Sequence, residues 1–150
     1  MKLILNLTII LLFFFSFNVF SENNNYFLIL KNNKVNVRHG PGFDFPIKFI
    51  YKKKNLPVKI IDKKENFRRI IDLKKNSGWI HSSQLSKKKS IIILKDKILF
   101  KKPTEYSKPV AKILTGRLLI IKNCKKEWCK ISVDNYSGWV KTDNVWGKIN

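Results

Sequence analysis

The sequence predicts an all-β protein made of two tandem small β-barrels after an N-terminal signal segment. Three observations predict it: an internal repeat of about 60 residues, short apolar runs bounded by turn residues in each copy, and no helical spacing of apolar residues after the N-terminal segment. A β-unit this short has a small core, and as an open sheet it would expose unpaired edges. Closure of each copy into a barrel is the expected solution.

Four matching segments in the same order indicate a duplication. They are residues 37–38 and 46–47 with 100–101 and 109–110, 65–70 with 126–131, 76–81 with 136–141, and 83–85 with 143–145. The clearest match is NSGWIH, which recurs as YSGWVK. The offset between matches falls from 63 to 61 to 60, as differences in loop length between two copies would produce.

Six strands are predicted in each copy from the short β-type runs. They cover residues 26–30, 35–38, 47–51, 56–62, 67–72 and 77–81, and then 91–94, 98–101, 110–114, 117–123, 128–133 and 136–141. Alternation predicts that Val35 and Val37 face the first core. It also predicts that Ile98 and Phe100 face the second core, with Leu99 outside.

Turn residues separate these strands. Residues 115–116 (TG) and 134–135 (DN) are suited to tight hairpin turns. Residues 40–42 (GPG) predict a longer, irregular loop in the first copy.

The N-terminus has the parts of a secretory signal peptide. Lys2 supplies a positive start, residues 3–20 are almost continuously apolar, and Ser21 is a small residue ahead of a polar stretch. We therefore expect a signal peptide over residues 1–21, a mature chain that begins at Glu22, and export to the periplasm or cell envelope. The apolar run is also close to the length that spans a bilayer, so an uncleaved membrane anchor is the alternative.

The chain is strongly basic, with a net charge of +21 at pH 7. Its 27 lysines, 20 isoleucines and 15 asparagines share AT-rich codons, which indicates a biased genome composition. Only 4 arginines are present, although arginine makes the bidentate contacts to phosphate and guanine. These features argue against nucleic acid as a partner. They leave a weak, salt-sensitive attraction to anionic polymers or membrane surfaces.

The first copy carries a family resemblance. Residues 35–42 (VNVRHGPG) are similar to the N-V-R-x-G-P opening of bacterial SH3-like domains. Residues 78–80 (GWI) are similar to their G-W-V strand, which a single helical turn follows. The second copy keeps GWV at 138–140 but has LFKKP at 99–103 in place of the opening.

The chain therefore resembles exported two-repeat proteins of the bacterial SH3-like (SH3b) type. The resemblance places one SH3-like domain at residues 26–86 and a second at 90–147, with a short solvated linker of three lysines between them. It implies extracytoplasmic binding modules, often directed at the cell wall, without identifying the ligand.

No group of residues is suited to catalysis, metal binding or a cofactor. His39 and His81 are predicted to be solvated imidazoles at a loop and a strand end. Cys124 and Cys129 do not combine with them in zinc spacing. The 10 carboxylates are scattered, with no pair suited to glycoside hydrolysis. We therefore expect a non-enzymatic protein without catalytic residues, metal or cofactor.

The two cysteines predict a disulfide instead. Cys124 and Cys129 are the only cysteines in the chain, and they flank a turn that joins two predicted strands. Residues opposed across a hairpin bring their Cβ atoms close to disulfide distance. A disulfide that closes so small a loop contributes about 2 kcal/mol.

Ligand-binding candidates concentrate around the long loop of the first copy. Phe43 and Phe45 lie in this loop, where apolar rings either tuck over the barrel or stand exposed as a binding surface. Arg38 opens the loop, and the alternative to a ligand contact is that it only pins the loop. The full candidate set is Arg38, His39, Phe43, Phe45, Tyr51 and Trp79.

The first copy is predicted to recognise the ligand and the second to brace it. Glycine permits positive φ and close approach of a partner, and Gly40 and Gly42 have no glycine counterpart in the second copy. The second copy has the cysteine pair and Trp146, which indicate stability. We expect peptidoglycan or a peptide as ligand, hence a cell-wall polymer or an envelope protein as partner. Two alternatives remain: an envelope scaffold, and a lysine-driven binder of anionic lipid or nucleic acid.

Overall fold

The computed structural model describes residues 26–147, and it contains two seven-stranded antiparallel sheets in tandem. The predicted signal peptide, residues 1–21, lies outside the described residues. Apart from one 3₁₀ turn, the elements of the described part of the chain are all strands, so the predicted all-β class is confirmed.

The first sheet contains the strands of the first copy. They are β1 (Tyr26–Leu30), β2 (Val35–Arg38), β3 (Ile47–Tyr51), β4 (Pro57–Lys64), β5 (Phe67–Ile71), β6 (Ser77–His81) and β7 (Leu85–Ser86). The 3₁₀ turn, Ser82–Gln84, follows β6 where the family resemblance implies a single helical turn. The strand order is β3-β2-β6-β5-β4-β1-β7.

The second sheet repeats this topology. Its strands are β8 (Ser90–Ile93), β9 (Lys97–Phe100), β10 (Pro109–Ile113), β11 (Leu118–Lys125), β12 (Trp128–Val133), β13 (Tyr136–Lys141) and β14 (Val145–Gly147). Their order is β10-β9-β13-β12-β11-β8-β14, in which every strand lies seven places after its counterpart. We call strands β1–β7 the first barrel and β8–β14 the second barrel.

Each barrel has its own apolar core, because alternate strand residues point to the same side of a sheet. The first core contains Leu30, Val35, Val37, Val58, Ile60, Ile70, Ile80 and Leu85. The second core contains Ile91, Ile93, Leu99, Ile113, Leu119, Ile121, Cys129, Ile131 and Val140. Two separate cores are what two small barrels require.

The predicted alternation is right in β2 and wrong in β9. Val35 and Val37 are fully buried as predicted. In β9, however, Leu99 is fully buried and Ile98 is 40% exposed, the reverse of the prediction. The sequence comparison matches Val37 with Phe100, whereas in the structure Leu99 takes the place of Val37. Because side chains alternate with period 2, a shift of one residue exchanges the inner and outer faces.

The predicted hairpin turns are present. Gly116 has φ of 84° between β10 and β11, and Asp134 has φ of 49° between β12 and β13. The Arg117 amide donates to the Leu114 carbonyl at 3.2 Å, which closes the first of these turns. Strand β14 is a finding of the structure, since the sequence pattern did not predict it.

The two barrels contact each other through buried and aromatic residues. The hydroxyl of Ser90, which is fully buried, donates to the Asn55 carbonyl at 2.6 Å. The Trp146 indole Nε1 donates to the Pro57 carbonyl at 3.1 Å. The Trp146 ring also meets Phe27 edge-on, with 5.1 Å between centroids. The sequence indicates a stabilising role for Trp146, and in the structure its ring lies against the first barrel.

Candidate functional site

The long loop of the first barrel is braced from within. Arg38, at the end of β2, donates from Nη1 to the Phe43 carbonyl at 3.1 Å and to the Phe45 carbonyl at 2.7 Å. The His39 amide donates to the Pro46 carbonyl at 3.2 Å, which closes the base of the loop. We call residues 39–46 the first loop. Arg38 therefore does pin this loop, and its guanidinium also remains at the surface.

Gly40 and Gly42 allow the Phe45 ring to lie close to the loop backbone. Among the described residues the glycines with positive φ are Gly116 and Gly147, so Gly40 and Gly42 do not have positive φ. A Cβ at Gly40 would overlap the Phe45 ring, and one at Gly42 would lie 3.3 Å from it. Phe45 thus packs on the loop backbone, which leaves it 44% exposed.

Phe43 lies on a small aromatic platform on the outer face of the sheet. Its ring centroid is 5.3 Å from that of Phe67 and 5.2 Å from that of His81. Phe67 and His81 are directly paired between β5 and β6, and their rings meet edge-on at 5.2 Å. The Arg38 guanidinium carbon is 5.5 Å from the Phe43 centroid, within cation–π range. We call Arg38, Phe43, Phe67 and His81 the Phe43 cluster.

The platform leaves one ring available to a partner. Phe67 is buried, with 6% of its surface exposed, because Phe43 and His81 cover it. Phe43 itself is 64% exposed. The two alternatives for the loop rings are thus both realised, since one side of Phe43 packs while the other faces solvent.

The predicted candidates omitted two residues of the Phe43 cluster, Phe67 and His81. His81 was predicted to be a solvated strand-end imidazole, but it is partly buried against Phe43 and Phe67. Its Nδ1 accepts the Ser83 amide at 3.3 Å and lies 2.7 Å from the Ser83 hydroxyl. With Nδ1 as acceptor, the proton of the neutral ring is on Nε2. The strand register that places His81 opposite Phe67 is the signal that could have found it.

Trp79 and His39 lie next to the Phe43 cluster. Trp79 is on the same face of β6 as His81, two residues away, and it is half-buried. Its partners in register are Arg38 on β2 and Arg69 on β5. His39 is exposed at the start of the first loop. The structure therefore brings together five of the six candidates on one side of the first barrel.

Tyr51 does not join them. It packs partly buried against the first core and pairs with Val35, at the other end of β2 from Arg38. Its hydroxyl donates to the Asp72 carboxylate at 2.9 Å. Burial raises the pKa of Tyr51, and the hydrogen bond to Asp72 raises it further. Asp72 also accepts from Asn76, so Tyr51 belongs to a structural network at the β5–β6 turn.

The second barrel has the same loop backbone with different side chains. The Lys101 amide donates to the Lys108 carbonyl, as His39 does to Pro46 in the first loop, so we call residues 101–108 the second loop. Glu105 takes the place of Phe43, and its carboxylate pairs with Lys141 at 3.0 Å. Hydrogen bonding to Glu105 raises the pKa of Lys141. An ion pair therefore replaces the aromatic platform.

Exposed aromatic surface in the second loop is limited to one ring. Tyr106 is 99% exposed. Phe100 takes the place of Arg38 and meets Trp128 edge-on at 5.8 Å, and Trp128 is buried. The second barrel thus lacks both the guanidinium and the stacked outer ring of the Phe43 cluster.

Charge pairing also differs between the barrels. All five ion pairs of residues 26–147 lie in the second barrel: Lys97–Asp143, Lys112–Asp96, Arg117–Asp134, Lys141–Glu105 and Lys141–Glu127. Residues 26–86 carry 14 lysines and arginines against 4 carboxylates, and no ion pair forms among them. The first barrel therefore presents its positive charge without internal neutralisation, which favours anionic partners.

The predicted disulfide is confirmed. Cys124 and Cys129 are paired across the β11–β12 hairpin and are bonded to each other. Lys125, within the same hairpin, places its ammonium 5.9 Å from the Trp139 centroid. The bond closes the end of the second barrel, far in sequence from the Phe43 cluster.

Residues 26–147 contain no group of three or more His, Cys, Asp or Glu side chains arranged to hold a metal ion. Within the same range, no helix is long and apolar enough to cross a membrane.

The sequence matches the bacterial SH3 domain family twice, at residues 31–87 and 96–147. The chain belongs to this family. The two matches fall on the two barrels, and they confirm the resemblance drawn from the opening and closing segments of the first copy. No curated protein matches the chain.

Two solved structures are similar to this bacterial SH3 protein at low sequence identity. NlpC2 from Trichomonas vaginalis is 13% identical with a TM-score of 0.38, over 85% of this chain and 50% of that chain. NlpC1 from Trichomonas vaginalis is 14% identical with a TM-score of 0.38, over 85% of this chain and 48% of that chain. The chain thus spans about half the length of these two proteins.

Family membership supports part of the functional expectation. Bacterial SH3 domains are binding domains, which favours a binding role over a catalytic one. The family and the disulfide both fit an exported protein.

Proposed function

We propose that this protein is a non-catalytic binding module of the cell envelope, and that it recognises peptidoglycan or a peptide through the Phe43 cluster of the first barrel. The observation that carries the proposal is Phe43. Its ring is 64% exposed, yet it is held by Phe67 and His81 beneath it. An ordered exposed ring loses little conformational entropy when a ligand covers it.

The chemistry around this ring suits a ligand with both apolar and anionic groups. The Phe43 face is free to pack against a sugar ring or a side chain. Arg38 is beside it, and the Nε2–H of His81 is a further donor. Peptidoglycan offers sugar rings, peptide amides and carboxylates close together, so it meets each of these groups with a complementary one.

The decisive change is Phe43→Ala. We expect it to weaken binding to purified peptidoglycan by more than about 1 kcal/mol, which is the usual threshold for an interface residue that contributes substantially to affinity. Binding would be measured by cosedimentation at several protein concentrations, and the melting temperature would be measured alongside. Because Phe43 is largely exposed, we expect the fold to survive the change. The companion change Phe45→Ala tests the loop, since Phe45 packs on Gly40.

The matched controls are Glu105→Ala and Tyr106→Ala in the second loop. Both residues are exposed and lie in the corresponding loop, and we expect both variants to bind as the unchanged protein does. Binding that falls with the controls and not with Phe43→Ala would move the site to the second barrel. If Phe43→Ala unfolds the protein, the ring is a part of the core and the proposal fails.

A second candidate function is charge-driven binding of an anionic polymer or lipid. The observation that favours it is the first barrel's set of basic side chains without ion pairs. Cosedimentation between low and moderate salt separates the two functions. Charge-driven binding declines steeply over this range, and recognition by the Phe43 cluster declines modestly.

A further inference from the structure

An open groove lies mainly on the second barrel and shares no lining residue with the Phe43 cluster. Its volume is about 780 Å³, within the range of roughly 300–1,000 Å³ that is usual for ligand sites. It is lined by the end of β10, the β10–β11 turn, parts of β11 and β12, and Lys53 of the first barrel.

One wall of this groove includes residues of an edge strand. Strand β10 stands at the end of the second sheet's order and pairs only with β9 within residues 26–147. Three consecutive residues of this strand, 111–113, line the groove. The backbone N–H and C=O groups on an edge are a ready template for another extended chain.

The other walls are apolar and partly exposed. Leu114 is 60% exposed and Tyr136 is 52% exposed, while Ile120 and Val133 are partly covered. Side chains of an added strand point alternately to one face, so every second residue of an added strand would meet this apolar surface. An occupant with apolar residues at alternate positions fits these walls.

Hydrogen bonds fix the β10–β11 turn at the rim of the groove. The Gly116 amide donates to the Ile93 carbonyl at 2.7 Å. The Thr115 amide and hydroxyl both donate to the Asp96 carboxylate at 2.9 Å. Since these contacts exist without a ligand, ordering the turn adds little entropic cost to binding.

The charge of the rim is complementary to an acidic occupant. Lys53, Lys112 and Arg117 line the groove against one carboxylate, Asp134. Lys112 and Arg117 have carboxylate partners, whereas Lys53 has no ion pair within residues 26–147. Lys53 is kept at the groove by its own loop.

That loop is anchored to the second barrel two residues beyond Lys53. The Asn55 amide donates to the Leu30 carbonyl at 2.8 Å, and the Asn55 carbonyl accepts the buried Ser90 hydroxyl at 2.6 Å. Lys53 is thus positioned by the contact between the barrels, which makes the groove a shared feature of both.

From these observations we propose that the groove binds an extended acidic segment of a partner protein, which adds to the β10 edge as a further strand. Its backbone pairs with residues 111–113, its alternate apolar side chains pack on Leu114 and Tyr136, and its carboxylates face Lys53. The site is distinct from the Phe43 cluster, so the protein has one surface for the envelope ligand and another for a protein partner.

The test uses the purified protein and a fluorescent synthetic peptide in which glutamate alternates with leucine. Fluorescence anisotropy should show saturable binding, and Lys53→Glu should raise the Kd about fivefold or more. Leu114→Ala should weaken binding as well. The matched controls are Lys74→Glu and Leu94→Ala, which are exposed residues outside the groove lining and should leave the Kd unchanged.

Two altered peptides test the geometry. A peptide with N-methylated amides cannot pair with an edge, so it should not bind, and a peptide with lysine in place of glutamate should not bind either. Amide NMR shifts caused by the parent peptide should centre on residues 111–114. Equal binding of the N-methylated peptide, or shifts centred on Phe43 and His81, would overturn the proposal. Binding of a polyphosphate chain at the groove with no binding of the acidic peptide would also overturn it.

Discussion

Trp146 offers the sharpest test of how the two barrels depend on each other. Its indole Nε1 donates to the Pro57 carbonyl, and its ring meets Phe27 edge-on. A hydrogen bond of this kind contributes about 1 kcal/mol, and an edge-to-face ring pair contributes about 1 kcal/mol beyond burial. We therefore expect Trp146→Ala to lower the free energy of unfolding by about 2 kcal/mol or more. Trp146→Phe keeps a ring and loses the donor, so it should cost about 1 kcal/mol.

Urea denaturation followed by circular dichroism measures these losses, and hydrogen exchange locates them. In Trp146→Ala, amides of β1 and β4 in the first barrel should lose protection, although the substitution is in the second barrel. A double-mutant cycle with Phe27→Ala should give a coupling energy of about 1 kcal/mol. Additive losses, or lost protection confined to the second barrel, would refute the inference that Trp146 couples the barrels.

Three other outcomes follow from single contacts. Reduction of the Cys124–Cys129 disulfide should lower the free energy of unfolding by about 2 kcal/mol, measured by urea denaturation with and without reductant, and an unchanged midpoint would contradict it. Gly40→Ala should lower the free energy of unfolding by about 1 kcal/mol because the new methyl group displaces the Phe45 ring. An unchanged free energy of unfolding would show that the ring moves freely. Hydrogen bonds from Thr115 and from the Lys112 ammonium lower the pKa of Asp96 from 3.8 to about 2. This carboxylate therefore stabilises the fold above about pH 4 and loses that effect as pH falls toward 2. Asp96→Asn should accordingly be less stable than the unchanged protein at neutral pH, and a gap that does not narrow between about pH 4 and 2 would contradict the assignment.

Much of the fold could be predicted because its signals are local. The alternation in β2, the turn at Gly116 and the cysteine pair each depend on neighbouring residues or on one hairpin. The error in β9 arose where the signal was not local. Which residue of β9 matches Val37 depends on the length of the preceding loop, and the apolar run Ile98, Leu99 and Phe100 contains no polar residue to mark the outer face.

The candidate site was only partly predictable for the same reason. The first loop, Arg38 and Phe43 stand out because a Gly-Pro-Gly segment marks an irregular loop in any sequence. His81 became part of the site through its position opposite Phe67, which is a consequence of strand register. Tyr51 lies outside the site because its hydroxyl is bonded to Asp72, which is 21 residues away in the sequence and which no local pattern pairs with it.

By itself the sequence determined the duplication, the β class, the basic charge and the cysteine hairpin, since each depends on composition or on short-range periodicity. Only the tertiary structure decided which aromatic rings meet. In the tertiary structure the Phe43 ring packs against His81, and the Trp146 indole donates to the carbonyl of Pro57, 89 positions earlier in the chain. Contacts of that range depend on how whole sheets pack, because the energy of a ring contact is gained only after both strands have been placed.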